Sequence, residues 1–319
     1  ALTGNNTHTG GTNIAGGTVQ ASGDSNLGDG TGTLTFDGGT LQNTSTFSTG
    51  RSTELKPGGG TFLTDAGTLL THIGNIGGAG GLTKTGDGTL KLSGTNTYSG
   101  GTNIARGTVQ VSANSNLGDS AGALSFGGGT LRITQNAGIG RATTLNSDGG
   151  TFQTDVGTFL VHTNVIGGSG VLTKSGAGTL ALLGSNTYAG GTVITGGTVR
   201  VSADNKLGNS AGALTLDGGT LRNTSGFSTA RDTTLGAAGG TFEIDGVTIL
   251  THNGDIGGAG SLTKTDSGTL LLAGNNTYAG GTVITSGKVQ VSANGNLGDS
   301  AGALSFDGGT LRNTSGFTT

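Results

Sequence analysis

The chain repeats its own sequence every 90 residues, and no insertion or deletion interrupts the repeat. The same residue types recur at matching positions of the copies, among them Asn6, Asn96, Asn186 and Asn276, and His72, His162 and His252. Strict self-similarity at a fixed period is typical of stacked solenoids. We therefore predict one continuous domain over residues 1–319, divided into the repeats 6–95, 96–185, 186–275 and the partial repeat 276–319.

Composition excludes several classes of protein. The 71 glycines raise the question of disorder, but hydrophobic residues reach 31% and the net charge is only −3, the reverse of a disordered chain. Cysteine is absent, so there is neither a disulfide nor a thiolate metal site. Charged residues are 10% with no basic run, which disfavours nucleic-acid binding. No apolar run approaches the roughly 20 residues of a membrane helix, so we expect no membrane insertion by this segment.

Short alternating stretches after glycine corners predict β-strands. Thr108–Ser112, Thr130–Thr134 and Thr151–Asp155 alternate polar and apolar residues, and each follows a glycine that can supply the positive φ of a sharp corner. The corners recur at spacings of about 20 to 22 residues, with one longer interval that contains the extra segment Gly88–Gly101. This spacing predicts about four coils per repeat and about 14 in all, or five per repeat if Gly88–Gly94 forms its own turn.

Such coils predict an all-β fold, a right-handed parallel β-helix, because parallel strands joined by crossovers are almost always right-handed. At roughly 4.8 Å between stacked strands, 14 coils form a rod about 65 Å long. Side chains on one face of each strand are expected to point inward: Val109, Val111, Leu124, Phe126, Leu131, Leu145 and Phe152. The alternating polar residues are expected to point outward: Gln110, Ser125, Arg132 and Gln153.

One segment of each repeat resembles a known family. The strand Gly178–Gly184, the corner Ser185–Thr192 with its Asn-Thr-Tyr-Ala-Gly-Gly-Thr run, and the strand Gly197–Ser202 are similar to the passenger-associated β-strand repeat of bacterial autotransporters. The pattern recurs at Gly88–Ser112 and Gly268–Ser292, and in truncated form at Leu2–Ser22. Departures are small: His8 replaces the tyrosine of Tyr98, Tyr188 and Tyr278, and Lys288 replaces a threonine.

The resemblance implies a secreted β-helix exported across the outer membrane of a Gram-negative bacterium, located outside the cell or at its surface. It also implies a translocator barrel beyond the C-terminal end of this segment. The chain starts at Ala1 and stops within a repeat, so we expect a piece of a longer protein whose signal or anchor lies elsewhere. The family motif carries no catalytic residue.

The histidine series is the first candidate for chemistry. Four coils separate His72, His162 and His252, which places them about 19 Å apart, too far to share a zinc ion with ligands at about 2.0–2.1 Å. Both Leu69 and Leu70 are apolar, so the pattern leaves the direction of the His72 side chain open. We interpret the series as strand-end hydrogen-bonding residues, with a metal ladder as the weaker alternative.

Other patterns favour structure over chemistry. Gly77–Leu82 resembles a calcium-binding glycine repeat but has leucine where the ligating aspartate belongs. The recurring charged residues are interpreted as solvated outward faces: Asp29, Asp119 and Asp299; Arg51, Arg141 and Arg231; Lys84, Lys174 and Lys264. Asn6, Asn96, Asn186 and Asn276 are predicted to hold corners, since asparagine side chains bond local backbone. The sequence thus indicates no catalytic residue, no metal site and no cofactor.

The favoured function is a non-catalytic structural stalk in the passenger of a secreted autotransporter, an adhesin or another cell-surface protein. The alternative is a self-assembling extracellular fibre, because every coil can stack on every other and unpaired strand edges invite pairing. An enzyme that cleaves polysaccharides is disfavoured because no carboxylate cluster breaks the repeat. Candidate partners are a second copy of the chain, bound end to end or laterally, and a host or neighbouring-cell surface.

Overall fold

The computed structural model describes residues 1–315. Its chain divides into two compact units, Ala1–Thr158 and a second unit from Phe159 onward. Both consist of short strands paired in parallel, with no α-helix among the described residues. The predicted all-β solenoid of stacked parallel strands is therefore confirmed.

The first unit contains 18 strands in chain order. They are β1 (Thr12–Ile14), β2 (Thr18–Ala21), β3 (Leu34–Phe36), β4 (Thr40–Asn43), β5 (Phe47–Thr49), β6 (Thr53–Leu55), β7 (Gly60–Thr64), β8 (Leu69–His72), β9 (Ile76–Gly77), β10 (Leu82–Thr85), β11 (Thr89–Leu92), β12 (Thr102–Ile104), β13 (Thr108–Val111), β14 (Leu124–Phe126), β15 (Thr130–Ile133), β16 (Ala137–Ile139), β17 (Thr143–Leu145) and β18 (Gly150–Thr154).

The described residues of the second unit contain 19 strands. They are β19 (Phe159–His162), β20 (Ile166–Gly168), β21 (Leu172–Ser175), β22 (Thr179–Leu182), β23 (Thr192–Ile194), β24 (Thr198–Val201), β25 (Leu214–Leu216), β26 (Thr220–Asn223), β27 (Phe227–Thr229), β28 (Thr233–Leu235), β29 (Gly240–Ile244), β30 (Ile249–His252), β31 (Ile256–Gly258), β32 (Leu262–Thr265), β33 (Thr269–Leu272), β34 (Thr282–Ile284), β35 (Lys288–Val291), β36 (Leu304–Phe306) and β37 (Thr310–Asn313).

Four short 3-10 turns complete the described structure, one per repeat, at Asp24–Leu27, Asn114–Leu117, Asp204–Leu207 and Asn294–Leu297. Each is a single turn and follows a Val-x-Val or Val-x-Ala strand. Among the residues that the structure describes, no helix has the length and apolar character needed to cross a bilayer.

Each coil of the first unit has three sides. One side is the ladder β2, β4, β7, β10, β12, β14, β17, and the next is β5, β8, β11, β13, β15, β18. The third side begins with β1, β3, β6 and β9. It continues as the strandless segment 93–101, because Thr97 N–H bonds the carbonyl of Ile76 below and Asn96 N–H bonds that of Ser115 above.

This arrangement shows where the extra segment Gly88–Gly101 lies in the coil. Its beginning is β11, an ordinary strand of the second side, and its remainder is the third side of the same coil. It forms no coil of its own, so the reading of about four coils per repeat stands. The longest ladders hold seven strands in the first unit and eight in the described part of the second, in line with about 14 coils.

Matching positions of consecutive repeats lie on different sides of the solenoid. Strand β2 and its copy β13, 90 residues later, belong to different ladders of the first unit. The copies β24 and β35 also belong to different ladders of the second unit. One repeat therefore spans four coils plus one further side, which turns each copy by a third of a revolution.

The core is a stack of inward side chains, as the alternation predicts. Val109, Leu131 and Phe152 pair in register along one side, and each is 0% exposed. All seven predicted inward residues are buried, and the four predicted outward residues are half-exposed. Because each coil covers the apolar face of the next, burial of this surface stabilises the stack rather than any single coil.

Candidate functional site

The most elaborate polar site is a buried arginine at the corner between β5 and β6. Arg51 is 2% exposed, and its Nε donates to Asp24 Oδ1 at 2.9 Å. Its Nη1 donates to the carbonyls of Asp29 and Gly32, and its Nη2 to those of Asp24 and Gly28, at 2.6 to 3.2 Å. The guanidinium therefore holds the loop around the 3-10 turn against the following coil.

The copies of this arginine clasp vary at one partner. Arg231 pairs with Asp204 at 2.8 Å, whereas Arg141 donates to the neutral Asn114 at 2.8 Å and lacks a carboxylate there. Burial lowers the pKa of Arg141. The expectation that the arginine series is a solvated outward face is wrong. These side chains are buried and donate hydrogen bonds to backbone carbonyls that converge at the corner.

The lysine series is also buried, against expectation. Lys84 is 0% exposed, and its Nζ donates to the carbonyls of Thr85, Gly86 and Arg106 at 2.6, 2.7 and 3.2 Å. Lys174 and Lys264 repeat this cage of three carbonyls. Burial lowers the pKa of each to about 8. An ammonium with three donors matches three carbonyls that would otherwise be desolvated at the corner.

The histidines point into the core, a direction that the sequence left open. His72 is 0% exposed and lies edge-on to Phe62 at a ring distance of 6.0 Å. Its Nδ1 lies 3.1 Å from the carbonyl oxygen of Gly74 and its Nε2 2.7 Å from Thr53 Oγ1. A carbonyl only accepts, so we assign the proton to Nδ1 and let Nε2 accept from the threonine. Burial lowers the pKa of His72 to about 4, which keeps the ring neutral.

The other two copies keep this environment. His252 lies 3.1 Å from the Gly254 carbonyl and 2.8 Å from Thr233 Oγ1, and His162 lies 3.1 Å from the Asn164 carbonyl. Burial lowers the pKa of both to about 4. Each ring already bonds strand-end groups through its nitrogens, an arrangement suited to a structural role.

The asparagine series joins three successive coils. Asn186 Oδ1 accepts from the Ile166 N–H at 2.8 Å, and its Nδ2 donates to the Lys206 carbonyl at 2.6 Å. Asn96 and Asn276 make the same pair of contacts, and Asn6 donates to the Asn26 carbonyl at 2.7 Å. The side chain substitutes for a strand on the third side. The contribution of these asparagine hydrogen bonds to the stability of the corner stays a prediction.

A tyrosine, a threonine and a glycine beside this asparagine have a structural role that the sequence pattern does not assign to them. Tyr98 is buried, and its hydroxyl lies 2.7 Å from Thr102 Oγ1, which donates to the Leu117 carbonyl. Burial raises the pKa of Tyr98 well above its ordinary value. A Cβ at Gly118 would lie 2.7 Å from the tyrosine ring, and the φ of this residue is +85°. The recurrence of tyrosine at one phase was the available signal.

One carboxylate cluster does break the repeat. Oxygen atoms of Glu243, Asp245 and Asp266 lie within 4.8 Å of one another, on partly exposed side chains. Arg222 already contacts two of them, with 2.8 Å to Asp245 and 3.3 Å to Glu243. The expectation that no carboxylate cluster breaks the repeat is therefore wrong, because residues far apart in the sequence meet here when coils stack. The other repeats carry different residues at the two variable positions: Leu63 and Gln153, and Gly86 and Gly176.

The segments that match a known family include the strandless third side described above. The passenger-associated-transport-repeat family matches residues 1–21, 82–111, 172–201 and 262–291. Each of the three full matches runs from a caged lysine strand through the asparagine and tyrosine corner to the following Val-x-Val strand. These matches fall where the sequence resembles the passenger repeat, so that resemblance is confirmed: the chain carries autotransporter passenger repeats.

A curated relative points the same way. The chain is 40% identical, over 128 residues, to a protein of Brucella suis biovar 1 (strain 1330) named Adhesin BmaC autotransporter. The matched stretch covers 40% of this chain and 4% of the relative. No solved structure matches the chain significantly.

Proposed function

We propose that this passenger-repeat chain is a non-catalytic stalk segment of a secreted autotransporter adhesin, which holds other parts of the passenger away from the cell. The passenger repeats and the adhesin named among its relatives support a secreted or cell-surface location in a Gram-negative bacterium. Because the match spans 4% of that relative, the adhesive activity itself comes to this chain only as part of the proposal.

The observation that carries the proposal is the use of the buried polar side chains. Arg51 and Asn96 bond backbone groups of adjacent coils. Lys84 bonds one carbonyl of the next coil and two of its own corner, and His72 bonds the carbonyl of Gly74 and the hydroxyl of Thr53 in the preceding coil. Desolvated backbone groups are costly when left unpaired, so these clasps favour one stacking of the coils. Chemistry at such groups would require them to leave those partners.

The turn of a third of a revolution per repeat also suits a spacer. A side chain at one repeat position faces a different side in the next copy within each unit. The repeated outward residues therefore do not accumulate into one long face. A uniform array of coils provides length, as a spacer requires. A site for a specific partner would instead require residues that differ from the repeat.

Electron microscopy and sedimentation of the purified chain test the proposal. We expect discrete monomeric particles about 65 Å long, the length of a continuous stack of about 14 coils. Long continuous filaments would replace the stalk with the fibre alternative. Release of reducing sugar or of unsaturated product from a panel of polysaccharides would contradict the non-catalytic assignment.

A further inference from the structure

A polar groove of about 270 Å³ lies on the first unit, across four successive coils. We call it the Gly81 groove. Its lining contains the glycines Gly59, Gly81 and Gly101 and the polar residues Thr61, Thr83, Asn103 and Ser125. The register pairs Thr61 with Thr83, Thr83 with Asn103, and Asn103 with Ser125. The four polar side chains thus form one row, with three steps of about 4.8 Å that span about 14 Å.

The row has hydrogen-bonding capacity to spare. The hydroxyls of Thr61 and Thr83 make no hydrogen bond to the described part of the chain, and both residues are half-exposed. Asn103 Oδ1 accepts from Ser125 Oγ at 3.1 Å, which orients the amide, and the two donors of its Nδ2 make no hydrogen bond to the described residues. The groove therefore offers a preformed line of neutral donors and acceptors.

This groove lies where the first unit departs from the copies of its residues in the second unit. Position 81 is glycine, whereas its copies are Val171 and Ser261, and position 103 is asparagine, like its earlier copy Asn13, whereas the later copies are Val193 and Val283. Val171 and Val193 are half-exposed, so in the second unit two branched apolar side chains stand where the groove has a glycine and an amide. Neither the glycine nor the asparagine is needed for stacking, since the copies with Val171 and Val193 stack without them.

The chemistry of the lining selects the class of ligand. None of the residues that line the groove is charged or aromatic, so an ionic ligand would find no opposite charge. Hydroxyl and amide groups act as both donors and acceptors, as the hydroxyls of a sugar do. We propose that the Gly81 groove binds a neutral glycan chain, whose hydroxyls bond Thr61, Thr83 and Asn103 along the row.

The test uses affinity electrophoresis of the whole chain in gels that contain a neutral polysaccharide: amylose, hydroxyethyl cellulose, galactomannan or laminarin. Gels with polygalacturonate or hyaluronate test acidic polymers. The main variant combines Gly81→Val with Asn103→Val, which introduces the side chains that the second unit carries at these positions, Val171 and Val193. Thr83→Val removes one hydroxyl with little change of shape, and Thr173→Val, its copy in the second unit, is the matched control.

We expect at least one neutral polymer to retard the wild-type chain and Thr173→Val equally. The double variant and Thr83→Val should both bind at least tenfold more weakly. Thr83→Val should keep the circular dichroism and melting of the wild type, whereas the double variant melts lower if the backbone at Gly100, 2.9 Å from a Cβ at position 81, does not shift. The proposal is overturned if no neutral polymer retards the wild type, if only acidic polymers do, or if folded Thr83→Val and the folded double variant are retarded as strongly as the wild type. The stalk proposal would survive each of these negative results.

Discussion

Mild acid should destabilise this protein through its three buried histidines. His72, His162 and His252 have pKa values lowered to about 4 by burial, while an unfolded histidine titrates near 6.5. Between these two values the unfolded chain binds more protons than the folded chain, so stability falls as the pH falls. The stabilisation is fully present above about pH 6.5 and is lost progressively down to about pH 4.

The size of the effect follows from the shift. A lowering of about 2.5 pKa units corresponds to about 3 kcal/mol per histidine, at about 1.4 kcal/mol per unit. The first unit contains one such histidine and the second contains two, so we expect the second unit to lose about twice as much. These pKa values of about 4 already include the nearby carboxylates, Asp24 for His72 and Asp204, Asp232 and Asp255 for His252, which favour the charged ring but are outweighed by burial.

Urea unfolding at intervals from pH 7.5 to pH 4.5 measures this dependence, with limited proteolysis to report on each unit. His252→Gln cannot take up a proton and should flatten the pH dependence of the second unit, although it lowers stability at pH 7.5. His8→Gln is the matched control, since His8 is exposed and should leave the profile unchanged. A wild-type profile that is flat from pH 7.5 to 4.5, or equally steep in His252→Gln, would refute the reasoning.

Three further predictions concern the clasps and the repeat. Asn186→Ala should lower the stability of its corner by about 1–2 kcal/mol, because two backbone groups lose their partner; unchanged melting and unchanged proteolysis would contradict this. Arg141→Met should cost about 3 kcal/mol or more in urea unfolding, since several buried carbonyls lose their donor, and equal stability to the wild type would show that water replaces the guanidinium. Deletion of residues 192–281 removes one whole repeat, and it should leave a folded chain shortened by about 21 Å in electron micrographs. Deletion of residues 198–281 leaves the next strand on the same side of the coil but no longer removes a whole repeat, so matching repeat positions lose their register. If this chain folds as stably as the first deletion, the buried polar side chains do not require a particular position within the repeat.

Much of the fold was predictable from local pattern. The period of 90 residues and the alternation in stretches such as Thr108–Val111 indicate stacked short strands with one buried face, and Val109 and Phe152 lie where the alternation places them. The alternation also put Lys84 on the same face as Leu82, but the general exposure of lysine outweighed that signal in the prediction. The burial of Lys84 was therefore present in the pattern and was overlooked.

Other features had no local signal. Arg51 lies outside any strand, and the carbonyls that it bonds come from residues 19 to 27 positions earlier in the chain. Glu243 and Asp266 stand 23 positions apart and meet only because one coil lies on another. The Gly81 groove likewise depends on side chains from four coils, although the glycine that replaces a valine at position 81 is visible in the sequence.

The sequence by itself thus determined the repeat, the strand class and the apolar core, because alternation along a strand dictates which side chains leave water. The tertiary structure decided which side of the coil each strand occupies. The lengths of the strands and corners together make one repeat span four coils and one further side, so each copy starts on a different side. It also decided which polar groups are buried. Converging backbone carbonyls at the corners create a need for donors that arises only when coils stack, and Arg51 and Lys84 meet it.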